Sequence, residues 1–370
     1  MPYPPLTAFM FCIAAFIVFF ILAIFSAAFR PLAAKAWHCV IRRISFRPCD
    51  IDFSEELRGK IIGRALRHSP ALARFISRWI DWFAAAFVIL SVWSLLYVAV
   101  AGLDLYVYGT CNPASVESCT LSGEACGVDQ AQLTLTQAIR ERKPGTWALG
   151  PFTRFYETVT RIPDRLRSWD PASFVSPSAT YYHPFDPAKP TALEIVDPGC
   201  RFCKKLTGNL ERAGIPERHN LTYLLYPIPA GEKYKFQNSL LMASYLEATK
   251  RVPLRRNPSA IPPDWQLLLK LFADAGSGAD LQTRFNIAFT RAGAETTLQS
   301  LLREIGYSET QVKEIARRAA SPETAASIAE QRRIVEQEVR TIKIPTLLIG
   351  GRRYDRVVSE STLHSYVLSP

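Results

Sequence analysis

Hydrophobic and polar positions change rhythm several times along the chain. Residues 8–29, AFMFCIAAFIVFFILAIFSAAF, and residues 82–103, WFAAAFVILSVWSLLYVAVAGL, carry no charge. Each is long enough as a helix to cross a hydrocarbon core of about 30 Å. Between them Leu57, Ile61, Ile62, Leu66, Leu72 and Ile76 recur among basic residues, which predicts amphipathic helices on a membrane surface. From about Arg140 to Lys189 repeated prolines break the pattern. This stretch reads as a linker or arm with one short helix near 152–168, holding the C-terminal part of the chain away from the bilayer.

Beyond it, TALEIVD at 191–197 is a short apolar run ended by Asp197-Pro198-Gly199, the mark of a buried strand and a tight turn. A helical pattern, CKKLTGNLERAG, then runs to Gly214, and NLTYLLYPIP at 220–229 predicts a second strand. Apolar residues next recur at three-to-four spacing: Leu240, Leu241, Tyr245 and Leu246; Trp265, Leu268, Leu269 and Phe272; Leu281, Phe285, Ala288 and Phe289; Leu298, Leu301, Leu302 and Ile305. Ser308-Glu309 and Ser321-Pro322 look like starts of further helices, the last one running over 322–340 into a short apolar strand and a Gly350-Gly351 turn.

Length and composition agree with an anchored protein. The chain has 370 residues, more than one compact domain requires. Hydrophobic residues are 48% and mean hydropathy is +0.04, which suits a few spans and a large water-soluble part. Charged residues at 21% and the lack of periodic repeats exclude a disordered, collagenous or solenoid chain. The net charge of +11 would elsewhere raise nucleic-acid binding. Much of it, however, sits in loop 30–81: Arg30, Lys35, Arg42, Arg43, Arg47, Arg58, Lys60, Arg64, Arg67, Arg74 and Arg78. Basic loops stay on the cytoplasmic side, so the N-terminus and everything after about residue 104 should lie outside. The charge is then a topology signal and a contact with anionic lipid, with no nucleic-acid partner. Ala34-Lys35-Ala36 resembles a signal cleavage site, but the apolar run is longer than a secretory core and MPYPPLT has no basic residue, which favours a retained anchor. Residues 1–104 are accordingly read as the anchor, 105–179 as a cysteine-containing juxtamembrane segment and Pro-rich linker, and 180–370 as the C-terminal domain with a helical insert at about 235–340.

Under this topology the cysteines fall into groups. Cys39 and Cys49 lie in the inner loop as reduced, structural thiols, and Cys12 lies within the first span. Cys111, Cys119, Cys126, Cys200 and Cys203 lie outside, where disulfides persist; an odd number leaves one unpaired or linked elsewhere. For Cys111, Cys119 and Cys126 the simplest reading is one structural disulfide stapling a juxtamembrane turn; a sharper one is a relay or dimer-forming thiol that exchanges with the main site.

The main site is Cys200-Arg201-Phe202-Cys203, which follows a strand and a turn and opens a helix. Two intervening residues in a first helical turn bring both sulfurs within disulfide reach, and the helix N-terminus stabilises a thiolate. Cys200 becomes the nucleophile and Cys203 resolves the mixed disulfide. Arg201 should lower the thiol pKa further and make the disulfide more oxidising. A zinc knuckle begins with the same spacing, but no second CxxC or paired His completes four ligands, so no metal is expected. A cysteine-protease reading would leave Cys203 unexplained.

Over roughly residues 180–370 these features resemble the thioredoxin superfamily, and the inserted helices resemble its DsbA-like thiol-disulfide oxidoreductases. The resemblance implies an α/β thioredoxin-like fold with a helical insertion, preceded here by two transmembrane helices. In TIKIPTLLIGG, 341–351, Pro345 corresponds to the family's cis-proline, packed against the active-site disulfide, with Ile344 and Thr346 beside it helping to hold substrate. Glu194, six residues before Cys200, matches the family's buried acid, which assists proton transfer at the resolving thiol. Burial among Leu193, Ile195 and Val196 should raise its pKa. Arg201-Phe202 is neither the Pro-His of the strong oxidase nor the Gly-Pro of thioredoxin, and Ile344-Pro345-Thr346 is thioredoxin-like. Asn220-Leu221-Thr222 fits a glycosylation triplet in a strand context.

The expected function is that of a membrane-anchored thiol-disulfide oxidoreductase of the periplasmic side. It needs no cofactor, and its partners are cysteine-containing exported proteins, a membrane redox recycling partner and the lipid bilayer. A competing expectation is a non-enzymatic envelope scaffold whose disulfide is structural. A structural Cys200 should be buried, a catalytic one partly exposed with a low pKa. Cleavage of the first span would invert the topology and make the chain a cytoplasmic thiol reductase.

Overall fold

A computed structural model describes residues 13, 14, 16–21, 23, 30–44, 59, 61–113, 115–119, 121, 123–128, 135–254, 261–273 and 280–368. The chain divides into two units, Met1–Ala99 and Val100–Pro370. In the first, helix α1 is Arg30–Ile44, and helix α2, Pro70–Tyr108, carries on into the second unit. Among the described residues α2 is the helix long and apolar enough to cross a membrane, with 39 residues that include the predicted span 82–103. Its apolar side chains are mostly bare: Trp82, Phe83, Leu90, Leu95 and Val98 are exposed, while Ala84 and Val88 are buried with Ala14. Of the predicted span 8–29, residues 13, 14, 16–21 and 23 are helical and the rest lies outside the described residues, as do Cys12 and Cys49.

The second unit is built on a four-stranded sheet. Strand β1 is Cys126–Gly127; helices α3 (Leu135–Arg140), α4 (Pro144–Thr160) and α5 (Ile162–Leu166) follow. Then come β2 (Thr191–Val196), α6 (Arg201–Arg212), α7 (Ile215–Arg218), β3 (Asn220–Leu225), and the short β4 (Pro229–Ala230) and β5 (Lys233–Tyr234). The inserted helices are α8 (Ser239–Thr249), α9 (Pro263–Phe272), α10 (Leu281–Thr283), α11 (Arg291–Ile305), α12 (Glu309–Ala319) and α13 (Pro322–Arg333). The chain closes with β6 (Lys343–Ile344), β7 (Thr346–Ile349), β8 (Arg352–Tyr354) and α14 (Glu360–Leu368).

The sheet order is β3-β2-β7-β8. β2 pairs in parallel with β3 from Thr191 opposite Asn220 to Val196 opposite Leu225, and antiparallel with β7, Glu194 facing Leu347. A βαβ unit joined through helices to a ββα unit is the arrangement that a thioredoxin-like fold implies. Near-continuous apolar runs in β2, β3 and β7 are what a sheet covered on both faces requires, and those residues are almost all buried. Helix α6 buries Cys203, Leu206 and Leu210 on one face and turns Lys205 and Arg212 outward.

Two expectations change. The stretch 140–189 is not a detached arm, because Val100–Pro370 is one unit. It is more helical than predicted, and Trp169 and Tyr182, both buried, plug it onto the sheet through Trp169 N–H to Gly351 O at 2.9 Å and Tyr182 N–H to Leu221 O at 2.9 Å. Prolines break the periodic signal without preventing aromatic anchors from packing. Asn220 is buried, its amide donating to the carbonyls of Asp186 and Lys189, so the glycosylation triplet is not presented to solvent.

Candidate active site

The turn that ends β2 builds the site. Asp197, wholly buried, accepts from Gly199 N–H at 2.8 Å, from Ile228 N–H at 2.7 Å and from the Ser239 hydroxyl. That ties the turn to the β3 exit and to the start of α8. Gly199 is needed there, since a Cβ would meet Phe236 Cβ at 2.5 Å. Cys200 follows as the N-cap of α6, where amides without helical partners converge. Cys203 N–H donates back to Cys200 O at 3.0 Å, which sets the two cysteines one turn apart.

Opposite them, the Ile344-Pro345 peptide bond is cis. Cys200 Sγ lies 3.8 Å from Ile344 O. Ile344 and Thr346 are both buried, and the Thr346 hydroxyl donates to Lys343 O at 2.7 Å and sits 2.9 Å from that of Thr341. The Thr346 side chain therefore braces the proline loop from behind. The backbone of Lys343 and Ile344 pairs with β1, Gly127 opposite Lys343 and Cys126 opposite Ile344.

Electrostatics separate the acidic groups. Glu194 is fully buried, with the Thr207 hydroxyl 3.1 Å from both carboxylate oxygens; burial pushes its pKa up to about 8, against the smaller opposing effect of that hydrogen bond. Burial likewise raises Asp197 to about 6. The Cys203 thiol is driven well above its ordinary range, first by burial and then by the negative charge of Glu194. Cys203 accepts from Asp197 N–H at 3.4 Å. Arg201 is exposed, its guanidinium 4.8 Å from the Phe202 ring centre.

The disulfides depart from expectation. Cys200 is bonded to Cys126, not to Cys203, with Cα atoms 6.7 Å apart, and Cys203 remains a buried thiol. Cys111 pairs with Cys119, a staple within the segment that follows α2. Cys200 is therefore fully buried, where a catalytic cysteine should be partly exposed. The reason is a strand that covers it. β1 pairs antiparallel with β6, Cys126 opposite Ile344 and Gly127 opposite Lys343, and Val128 N–H donates to Ile342 O at 2.9 Å. A chain segment thus lies along the edge next to the cis-proline with its sulfur bonded to Cys200.

Two functional features are only partly legible in the sequence. Asp197 looks like a turn residue, although an apolar run ending in Asp-Pro-Gly before a cysteine is a signal that its carboxylate could be buried. The Cys126–Cys200 link spans a sequence separation of 74; the relay reading of Cys111, Cys119 and Cys126 admits an exchange with the main site but does not say which cysteine makes it. Among the described residues no group of three or more His, Cys, Asp or Glu could hold a metal ion, and Cys111, Cys119 and Cys126 carry no thiolate while disulfide-bonded.

No family model and no curated protein matches the chain. Among solved structures it is similar to a thioredoxin-like oxidoreductase from Silicibacter pomeroyi DSS-3, at 20% identity over 52% of this chain and 92% of that one, with a TM-score of 0.38. It is also similar to Proteus mirabilis ScsC in a transitional conformation (10% identity, 64% and 97% covered, TM-score 0.37). A third is the thiol-disulfide exchange protein alpha-DsbA2 from Wolbachia pipientis (15% identity, 50% and 85% covered, TM-score 0.34).

Proposed function

We propose that the chain is a membrane-anchored thiol-disulfide oxidoreductase acting outside the cytoplasmic membrane on cysteines of exported proteins. The observation that carries this reading is Cys200 at a helix N-cap, one turn from a buried Cys203 thiol and beside a cis-proline edge, already disulfide-linked to a strand on that edge. A substrate strand would pair with the backbone of Lys343 and Ile344, as peptides add to exposed sheet edges. Cys200 thiolate attacks the substrate disulfide, forming a mixed disulfide and releasing one substrate thiolate. Cys203 then attacks Cys200 Sγ, closing Cys200–Cys203 and expelling the second; the reverse sequence oxidises a substrate dithiol. Glu194, with a pKa of about 8, takes and returns the proton of Cys203 near neutral pH. The two electrons stay on sulfur, so no cofactor is needed.

The bare apolar length of α2 and the basic loop before it support the membrane placement, with the catalytic unit outside and the first span 8–29 as a second anchor. On this reading a membrane redox partner restores the cysteines. In full-length protein in detergent, Cys200→Ala should abolish thiol-disulfide exchange with a reduced or scrambled model protein. Cys203→Ala should still attack but accumulate mixed disulfides. Full activity of Cys200→Ala rejects the reading.

One observation favours a second reading, a non-enzymatic envelope scaffold. Cys200 is wholly buried and stapled to Cys126, as a structural bridge would be. On that reading the Cys126–Cys200 bridge survives mild reductant in the folded protein, and the oxidoreductase reading requires that it does not.

A further inference from the structure

We infer that Cys126 is a third redox cysteine and that its strand is a resident stand-in for substrate, which Cys203 releases by attacking Cys200. This rests on the oxidoreductase reading above and adds a residue and a step to it.

The segment reproduces what a bound substrate must do. It runs antiparallel along β6, places a cysteine opposite Ile344 and bonds that cysteine to Cys200. An exported protein needs the same edge and the same sulfur, so substrate and β1 exclude one another. The segment is built to dock there. Lys235 Nζ donates to Gly127 O at 3.0 Å and pairs with Glu117 at 2.7 Å, Lys205 pairs with Glu124 at 2.7 Å, and Val357 N–H donates to Glu124 O at 3.0 Å. Gly127 lets the hook close on itself, since a Cβ there would meet Val116 Cβ at 2.5 Å, and Cys111–Cys119 staples the hook. Its strand contributes two residues and the Lys205–Glu124 pair is half exposed.

The releasing step balances. The Cys203 sulfur, after loss of its proton, attacks Cys200 Sγ; a Cys200–Cys203 bond forms, the Cys126–Cys200 bond breaks, and Cys126 leaves as a thiolate that takes up a proton. One disulfide and one thiol exist before and after, so nothing is oxidised or reduced overall. The exchange uncovers the edge at the moment when the catalytic disulfide closes.

Full-length oxidised protein is equilibrated at several glutathione ratios, quenched in acid, unfolded and alkylated, and the labelled thiol is assigned by peptide mapping. Among molecules with one labelled thiol of the three site cysteines, the label should divide between Cys126 and Cys203 in a proportion independent of the glutathione ratio, because the exchange carries no net electrons. Lys235→Met, which removes the docking cation without touching a sulfur, should move the proportion toward Cys126 by about tenfold. Label confined to Cys203 makes the bridge purely structural, and label confined to Cys126 means that the hook never couples; either overturns the inference. If Cys200→Ala is inactive and glutathione opens the bridge only to the form labelled on all three site cysteines, with Cys126 never labelled alone, the relay fails and the oxidoreductase reading stands. If Cys200→Ala is fully active, both fall.

Discussion

Glu194 and Asp197 sit three residues apart on one strand and its turn, and both are buried acids kept mostly neutral at moderately acidic pH. The stability consequence has a definite sign. Each holds a proton in the fold over a pH range where the unfolded chain has lost it: about 4.5 to 8 for Glu194 and 3.8 to 6 for Asp197. Their contribution to stability is therefore full below the lower value and is lost as pH rises to the upper one, at a slope of at most about 1.4 kcal/mol per pH unit for each group. Between pH 6 and 8 only Glu194 of the two still acts. Glu194→Gln should flatten the fall in urea midpoint across that window; an unchanged slope would mean that the carboxyl ionises normally. The same variant should slow release of mixed disulfides more than their formation, because the proton it moves belongs to Cys203.

At the scale of elements, the insert is tied to the sheet by a few polar side chains as well as by its core. β3 is an edge strand. The Gln331 side chain from α13 accepts from Leu225 N–H at 2.8 Å and donates to Glu247 at 3.2 Å. Glu247, itself buried, pairs with Lys250 at 2.9 Å. Gln331→Leu leaves a buried amide and a carboxylate oxygen short of partners and should cost about 1–3 kcal/mol, read as a lowered urea midpoint. Ser308, which forms a capping box with Gln311 at the start of α12, should cost about 1 kcal/mol on change to Ala. These element starts were legible in the sequence because caps and apolar spacing are local. So were β2, β3 and α6, whose residues carry their own period. The last predicted helix shows the limit of such reading: α13 ends at Arg333 and the chain continues to Val339 as a π-helical turn, closed by Arg340 at φ 57°.

For the molecule as a whole, the proposed anchor predicts that the full chain stays with membranes after alkaline carbonate extraction. On the proposed topology, a membrane-impermeant maleimide should reach Cys39 and Cys49 from the cytoplasmic side alone. Labelling from outside would invert the molecule and make it a cytoplasmic reductase. Direction of electron flow belongs to the same scale, since it depends on the relative stability of the reduced and oxidised forms of the entire site. Measured against glutathione in the full chain, a potential near about −120 mV would mark a disulfide donor and one near about −270 mV a reductase or isomerase.

What the sequence by itself determined is what short-range physics encodes: an uncharged run long enough for a bilayer, a basic loop beside it, a strand and turn leading to two cysteines in a first helical turn, and capped helices at three-to-four spacing. Burial of Glu194 was readable too, from its apolar neighbours on β2. Only the tertiary structure decided how Cys111, Cys119, Cys126 and Cys200 pair, because sulfurs at 126 and 200 are joined by the closing of a long loop that no local pattern records. It also decided that residues 140–189 pack on the sheet, since Trp169 and Tyr182 find their partners in strands far along the chain. Thr346 turned inward for the same reason, its hydroxyl meeting Thr341 and Asp355 only once the proline loop had folded against β8.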